Sequence, residues 1–205
     1  MSINLAFMVS GRGSNLEAIL SAIQKGKLDA NALVVLSNQP QALALTVAEK
    51  FGVEAKVIPS KGISRSEHEA LLQEELARYK IDYLVLAGYM RILTKEFLSP
   101  FKDARGFYRV INIHPSLLPA FAGKDAYENA FQYGVKLSGI TIHFLDEEVD
   151  HGPILAQQSF PRLADDTLES FKTRGLQVEH ELYPAVLQML AEGRIPLSLK
   201  EPAQR

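Results

Sequence analysis

Short apolar runs alternating with longer segments of helical period constrain this chain more than any other feature of it. Strands buried on both faces read as continuous apolar runs, so the alternation points to a parallel sheet covered by helices. The first run, Leu5 to Val9, passes through Gly11-Arg12-Gly13-Ser14-Asn15 into Leu16, Ile19, Leu20 and Ile23 at helical spacing. That is strand, glycine loop, helix. A second run, Ala32 to Leu36, ends in Ser37-Asn38-Gln39-Pro40, and a segment with Leu43, Leu45, Val47 and Ala48 follows until Gly52 stops it. Val57-Ile58, a charged helix from about Ser66 to Tyr79, the buried strand Tyr83 to Ala87 and a fifth strand, Val110 to Ile113, continue the series.

After His114-Pro115 the pattern changes. Leu137 to Phe144 alternates, and Ile154 to Gln158 follows a loop from Asp146 to Pro153 that is too short for a helical crossover, so these two strands are expected to be antiparallel neighbours. The last helix is expected to be capped by Asp166 with Glu169 three residues on, and to bury Leu168, Phe171, Val178, Leu182, Val186 and Leu190. A frayed tail is expected after Gly193. No repeat, low-complexity segment or linker interrupts the chain, so residues 1–205 are read as a single domain. The expected class is α/β: a Rossmann-like three-layer sandwich with a mostly parallel sheet and antiparallel strands near its C-terminal part.

Composition narrows the chemistry. The 22 basic and 24 acidic residues are mixed along the chain, which leaves no broad basic surface for nucleic acid or anionic lipid, so any phosphate site must be local. There is no cysteine, which excludes disulfides, thiolate nucleophiles and cysteine-based zinc sites. The histidines (His68, His114, His143, His151, His180) show no helical metal-ligand spacing, so no metal is expected. Met1 leads almost directly into an alternating start without a basic leader, and no apolar stretch approaches the ~18 residues that span a bilayer. A soluble, cytoplasmic protein is the expectation.

Four segments carry candidate chemistry. Ser10 to Asn15 stands where the first strand meets the first helix, where free N–H groups and the helix dipole favour an anion. It reads either as a phosphate cradle or as an ordinary βα turn capped by Ser14 or Asn15. It is not the dinucleotide fingerprint, since Leu16 stands where a sixth-position glycine belongs, and the Gly-Lys-Ser/Thr of a P-loop is missing. In Asn112-Ile113-His114-Pro115, residues two apart on a strand share a face, so Asn112 and His114 point the same way at the sheet's C-terminal edge. Either they form a site or they finish a strand. The loop Asp146 to Pro153 holds four acids, one of which, turned inward, would stabilise a charged His114; the alternative is a solvated acidic hairpin loop. Leu86 to Leu93 suits a flat heteroaromatic ring or simply packs the core. His143, on a core strand with Thr141, reads as a satisfied structural histidine or as a lining residue.

In order, SGRGSNL, LSN, LAGYMRIL, NIHPSLLP, HF followed by the Asp146–Pro153 loop, and EHELYP resemble the motifs of the glycinamide ribonucleotide formyltransferase family, within the folate-dependent formyltransferase superfamily. The resemblance covers nearly the whole chain. It implies transfer of a formyl group from 10-formyltetrahydrofolate, a co-substrate, to the amine of 5'-phosphoribosylglycinamide in purine biosynthesis, by a monomer or homodimer. It places Asn112, His114 and Asp150 on the family's catalytic triad, and Gly13, Ser14 and Asn15 on the segment holding the ribonucleotide phosphate. Glu179 matches a nucleotide-contacting glutamate. Arg65, Met90, Arg91, Ile92, Leu93 and Asn112 match folate-contacting positions.

The chain departs from the family's pattern at 102–108 and at 120–127, and the second stretch is reminiscent of formyltetrahydrofolate hydrolases. Those relatives lack the SGRGSN loop and carry an added N-terminal domain, whereas here the first core strand begins by residue 5. Hydrolysis of the formyl-folate by the same triad, a sugar-nucleotide formyltransferase, and a ligand-sensing module without chemistry are the competing readings.

Overall fold

The computed structural model describes residues 2–194. Its seven strands are β1 (Ile3–Val9), β2 (Ala30–Ser37), β3 (Ala55–Val57), β4 (Tyr83–Leu86), β5 (Val110–His114), β6 (Leu137–Phe144) and β7 (Ile154–Pro161). They form one sheet in the order β3-β2-β1-β4-β5-β6-β7. The first five strands run parallel, while β5–β6 and β6–β7 are antiparallel. This is the expected Rossmann-like mixed sheet.

The helices are α1 (Ser14–Gln24), α2 (Leu43–Lys50), α3 (Arg65–Leu76), α4 (Lys95–Leu98), α5 (Ala126–Tyr133) and α6 (Leu168–Ala191). Alternation along β1 divides the core in two. Leu5, Phe7 and Val9 pack with α1, α5 and α6, while Ala6 and Met8 pack with Leu72 of α3 and Phe97 of α4. No helix among the described residues is long and apolar enough to cross a membrane.

Several expectations need correction. Helix α3 ends at Leu76 rather than Tyr79, and β7 runs on past Gln158 to Pro161. The cap of α6 is Thr167, whose hydroxyl accepts from Ser170 N–H in a capping box; Asp166 instead accepts two bonds from Arg174 at 2.6 and 2.8 Å. The buried row of α6 is Phe171, Gly175, Glu179, Tyr183 and Leu187, an i, i+4 line that includes a glycine and a glutamate. Leu168, Val178 and Leu182 are only half-buried at its margin. In α2 the buried residues are Ala44 and Ala48, and Leu43 is 63% exposed. Helices α4 and α5 carry no expectation from the sequence. Beyond Arg194 the expected frayed tail lies outside the described residues.

The strand order reverses between β1 and β4, since the chain winds from β1 outward to β3 and then returns to β4 on β1's other side. Open α/β sheets leave a crevice at such a reversal, outside the C-terminal ends of the strands. Here the exits are tied together: Ser10 N–H donates to Gly88 O, and Met90 N–H donates to Ser10 Oγ at 2.9 Å. The paired register of β4 with β5 stops at Val85 and Ile111. Just past that point the Tyr183 hydroxyl lies within hydrogen-bond distance of the carbonyls of Leu86 (3.0 Å) and Ile111 (3.1 Å), which share its one proton.

Candidate active site

The end of β5 projects Asn112 and His114 from one face, as the strand period requires, while Ile111 and Ile113 pack into the α1–α6 core. His114 is 4% exposed. Its Nδ1 stands 3.2 Å from Asp150 Oδ2, and its Nε2 lies 2.9 Å from the carbonyl of Phe121. Both ring nitrogens therefore face acceptors.

Asp150 belongs to the loop between β6 and β7 and has a left-handed backbone, φ 54. That region is uncommon for residues with a side chain, and Asp is among the few types that enter it more readily. Gly123 N–H donates to Asp150 Oδ2 at 2.8 Å, and nearby Gly152 has no room for a side chain, since a Cβ there would lie 2.0 Å from Phe144 O. Asp150 is thus the inward acid of the loop. Asp146 instead faces His151 at 2.6 Å, and Glu147 pairs with Lys95 at 2.7 Å.

His143 belongs to the same cluster, and this the sequence left open. Antiparallel register sets it opposite Asn112. Its Nδ1 donates to Phe144 O at 2.8 Å, which leaves Nε2 an acceptor facing Asn112 Nδ2 at 3.4 Å; Asp150 Oδ1 is 3.7 Å away. Burial pushes the pKa of His143 below its usual 6.5, against the opposing effect of the Phe144 carbonyl. A neutral ring suits the role of aiming the Asn112 amide. The β5–β6 register is the signal that could have found it.

The glycine loop joins the end of β1 to α1. Gly13 has φ 80 and precedes α1, and a Cβ on it would meet Ala44 Cα at 2.7 Å, so glycine is required on both counts. Ser14 opens the helix, and neither it nor Asn15 serves as a side-chain cap. Asn15 instead donates from Nδ2 to Glu179 Oε2 at 2.6 Å, joining two residues 164 positions apart. Ser10, Gly11, Arg12, Gln39, Gln41, Ala42, Leu43 and Met90 line an open cleft of about 450 Å³ beside this loop.

Of the remaining positions, Met90 (78% exposed) and Ile92 (56%) offer apolar surface beyond β4, Arg91 is half-buried and Leu93 is buried. Such a surface suits a flat ring. Arg65, the first residue of α3, is exposed and makes no hydrogen bond to the rest of the cluster among the described residues. No group of three or more His, Asp and Glu side chains among the described residues is arranged to hold a metal.

The family model for formyl transferase matches residues 3–187. The phosphoribosylglycinamide formyltransferase of Bacillus subtilis is 38% identical over 186 residues, covering 90% of this chain and 93% of that protein. The trifunctional purine biosynthetic protein adenosine-3 of Gallus gallus is 36% identical over 94% of this chain, which spans only 19% of that protein's length. Among solved structures, glycinamide ribonucleotide transformylase 1 from Symbiobacterium toebii superposes with a TM-score of 0.88 at 40% identity, over 94% of this chain and 89% of that one. The motifs at the crevice, the sheet that carries them and these similarities agree: the chain belongs to the formyl transferase family.

Proposed function

We propose that this chain transfers the formyl group of 10-formyltetrahydrofolate to the amine of 5'-phosphoribosylglycinamide, as a cytoplasmic enzyme of purine biosynthesis. The observation that carries the reading is the pairing of His114 with Asp150 beside Asn112, which shares His114's face of β5. The names of the relatives point the same way.

Attack of the amine nitrogen on the formyl carbon gives a tetrahedral intermediate with a negative oxygen and a positive nitrogen. Asn112 Nδ2–H and His114 Nε2–H are the donors for that oxygen, each worth about 3–4 kcal/mol in an oxyanion hole. In the structure His114 Nε2 is engaged by the Phe121 carbonyl, so that carbonyl gives way as the formyl oxygen arrives. Asp150 orients His114 through Nδ1 and takes the amine proton, directly or through water, while the folate nitrogen is reprotonated as its bond to the formyl carbon breaks. No bond to the protein forms. The phosphate lies against Gly13, Ser14 and Asn15, at the positive end of α1, and Glu179 holds Asn15 in that loop. The folate ring packs on Met90, Arg91, Ile92 and Leu93 beside Asn112, with Arg65 nearer the solvent end.

The test is purified protein with 10-formyltetrahydrofolate, with and without the ribonucleotide, following loss of formyl-folate and identifying products by mass. Turnover that requires the ribonucleotide and yields its formyl derivative is the expected result. Turnover without the amine would establish hydrolysis instead.

A further inference from the structure

Glu179 is 5% exposed and has a second buried partner: the Tyr127 hydroxyl lies 2.6 Å from its Oε1. Tyr127 is itself 9% exposed, and burial, reinforced by the adjacent carboxylate, pushes its pKa far above the usual 10. The phenol keeps its proton and donates. The carboxylate therefore receives one neutral donor on each oxygen, Tyr127 from α5 and Asn15 Nδ2 from α1. Because a carboxylate only accepts, it also fixes which end of the Asn15 amide faces it. Asn15 Oδ1 then points away, buried and without a donor among the described residues. Such an acceptor calls for a ligand N–H or O–H.

The space for this arrangement is made by α6. A Cβ at Gly175 would lie 2.3 Å from the Tyr127 hydroxyl oxygen and 2.4 Å from its Cε1, so the ring reaches Glu179 only because residue 175 has no side chain. Phe171, one turn earlier, packs edge-on against the same ring at 6.1 Å.

We propose that Tyr127 is a positioning residue for the ribonucleotide. Acting through Glu179, it holds Asn15 so that Oδ1 of the glycine loop accepts a hydrogen bond from a hydroxyl or amide N–H of that substrate. Tyr127 touches no reacting atom. The inference rests on the ribonucleotide reading of the Gly13–Asn15 loop, so its test separates the two.

In steady-state assays with both substrates, Tyr127→Phe keeps the ring and removes the donor. KM for the ribonucleotide is expected to rise about tenfold, the equivalent of ~1.4 kcal/mol, with kcat changed less than about threefold and KM for the formyl-folate unchanged. Gly175→Ala, which displaces the phenol without altering either polar partner, should reproduce that split. A Tyr127→Phe, Asn15→Ala double variant should cost no more than Asn15→Ala alone, because the phenol acts only through that amide. Equal falls in kcat and both KM-normalised rates, or an unchanged ribonucleotide KM in Tyr127→Phe, would overturn the positioning role while leaving the transferase intact. A parent enzyme inactive with the ribonucleotide would overturn both.

Discussion

The site contains two buried carboxylates that are held in opposite ways. Glu179 sits in the middle of a 24-residue helix and is bound by neutral donors, an amide and a phenol, both from other helices. Asp150 sits on a left-handed residue in a loop and is bound by a backbone N–H and an imidazole. A carboxylate between an amide and a phenol of raised pKa has no partner that exchanges protons near neutral pH, so it can fix a shape and little else. One paired with a histidine can pass charge as a reaction proceeds. On the proposed function, Glu179 serves binding and Asp150 serves proton movement, and substitutions at each should separate along that line.

The largest effect is expected at Asp150. Asp150→Asn should lower kcat on the order of 10³-fold while leaving both substrate affinities near normal. Steady-state kinetics together with calorimetric binding of each substrate would check this, and near-normal turnover would erase the distinction. Gly152→Ala tests whether the loop itself sets Asp150. The clash with the Phe144 carbonyl should cost about 3 kcal/mol, a fall in Tm of roughly 6–12 °C on thermal denaturation, with kcat falling as well.

At the other carboxylate, Glu179→Gln should raise the ribonucleotide KM about tenfold with little change in kcat, because the Tyr127 hydroxyl can turn to accept from the new amide. A large loss of kcat there would collapse the two carboxylates into one role. The smallest effect belongs to the outer rim of the Asp150 loop. Hydrogen bonding to Asp146 raises the pKa of the exposed His151 above 6.5. The pair's stabilisation is thus fully present below about pH 6.5 and fades as pH rises through the raised value. His151→Ala should lower Tm by about 1 °C at pH 6 and leave it unchanged at pH 9.

The sequence made one part of this site far more legible than the rest. Asn112 and His114 are two apart on an apolar strand, and period-2 geometry alone puts them on a common face. Asp150 required knowing which of four acids turns inward, and that follows from the left-handed turn and the lack of space at Gly152, which composition does not express. His143 became part of the cluster only through a cross-strand register.

On α6 the apolar stripe found the buried Phe171, Val186 and Leu190 but missed Gly175 and Glu179 in the same buried face, the residue types that a hydrophobic pattern passes over. Tyr127 lies on a two-turn helix that begins with Asp125 in the left-handed region and has no side-chain cap, so the usual start signal is missing. The cap of α6 was missed by a single residue, between neighbours of nearly equal capping ability, Asp166 and Thr167.

The bridge from Tyr183 to the carbonyls of Leu86 and Ile111 links the ends of β4 and β5 from behind the sheet. The paired register of β4 and β5 ends at Val85 and Ile111, and the hydroxyl stands just past that end. That hydroxyl is fully buried and out of reach of any ligand. The ends of two strands that border the proposed site are therefore held by a residue of the far helix that lies wholly inside the core.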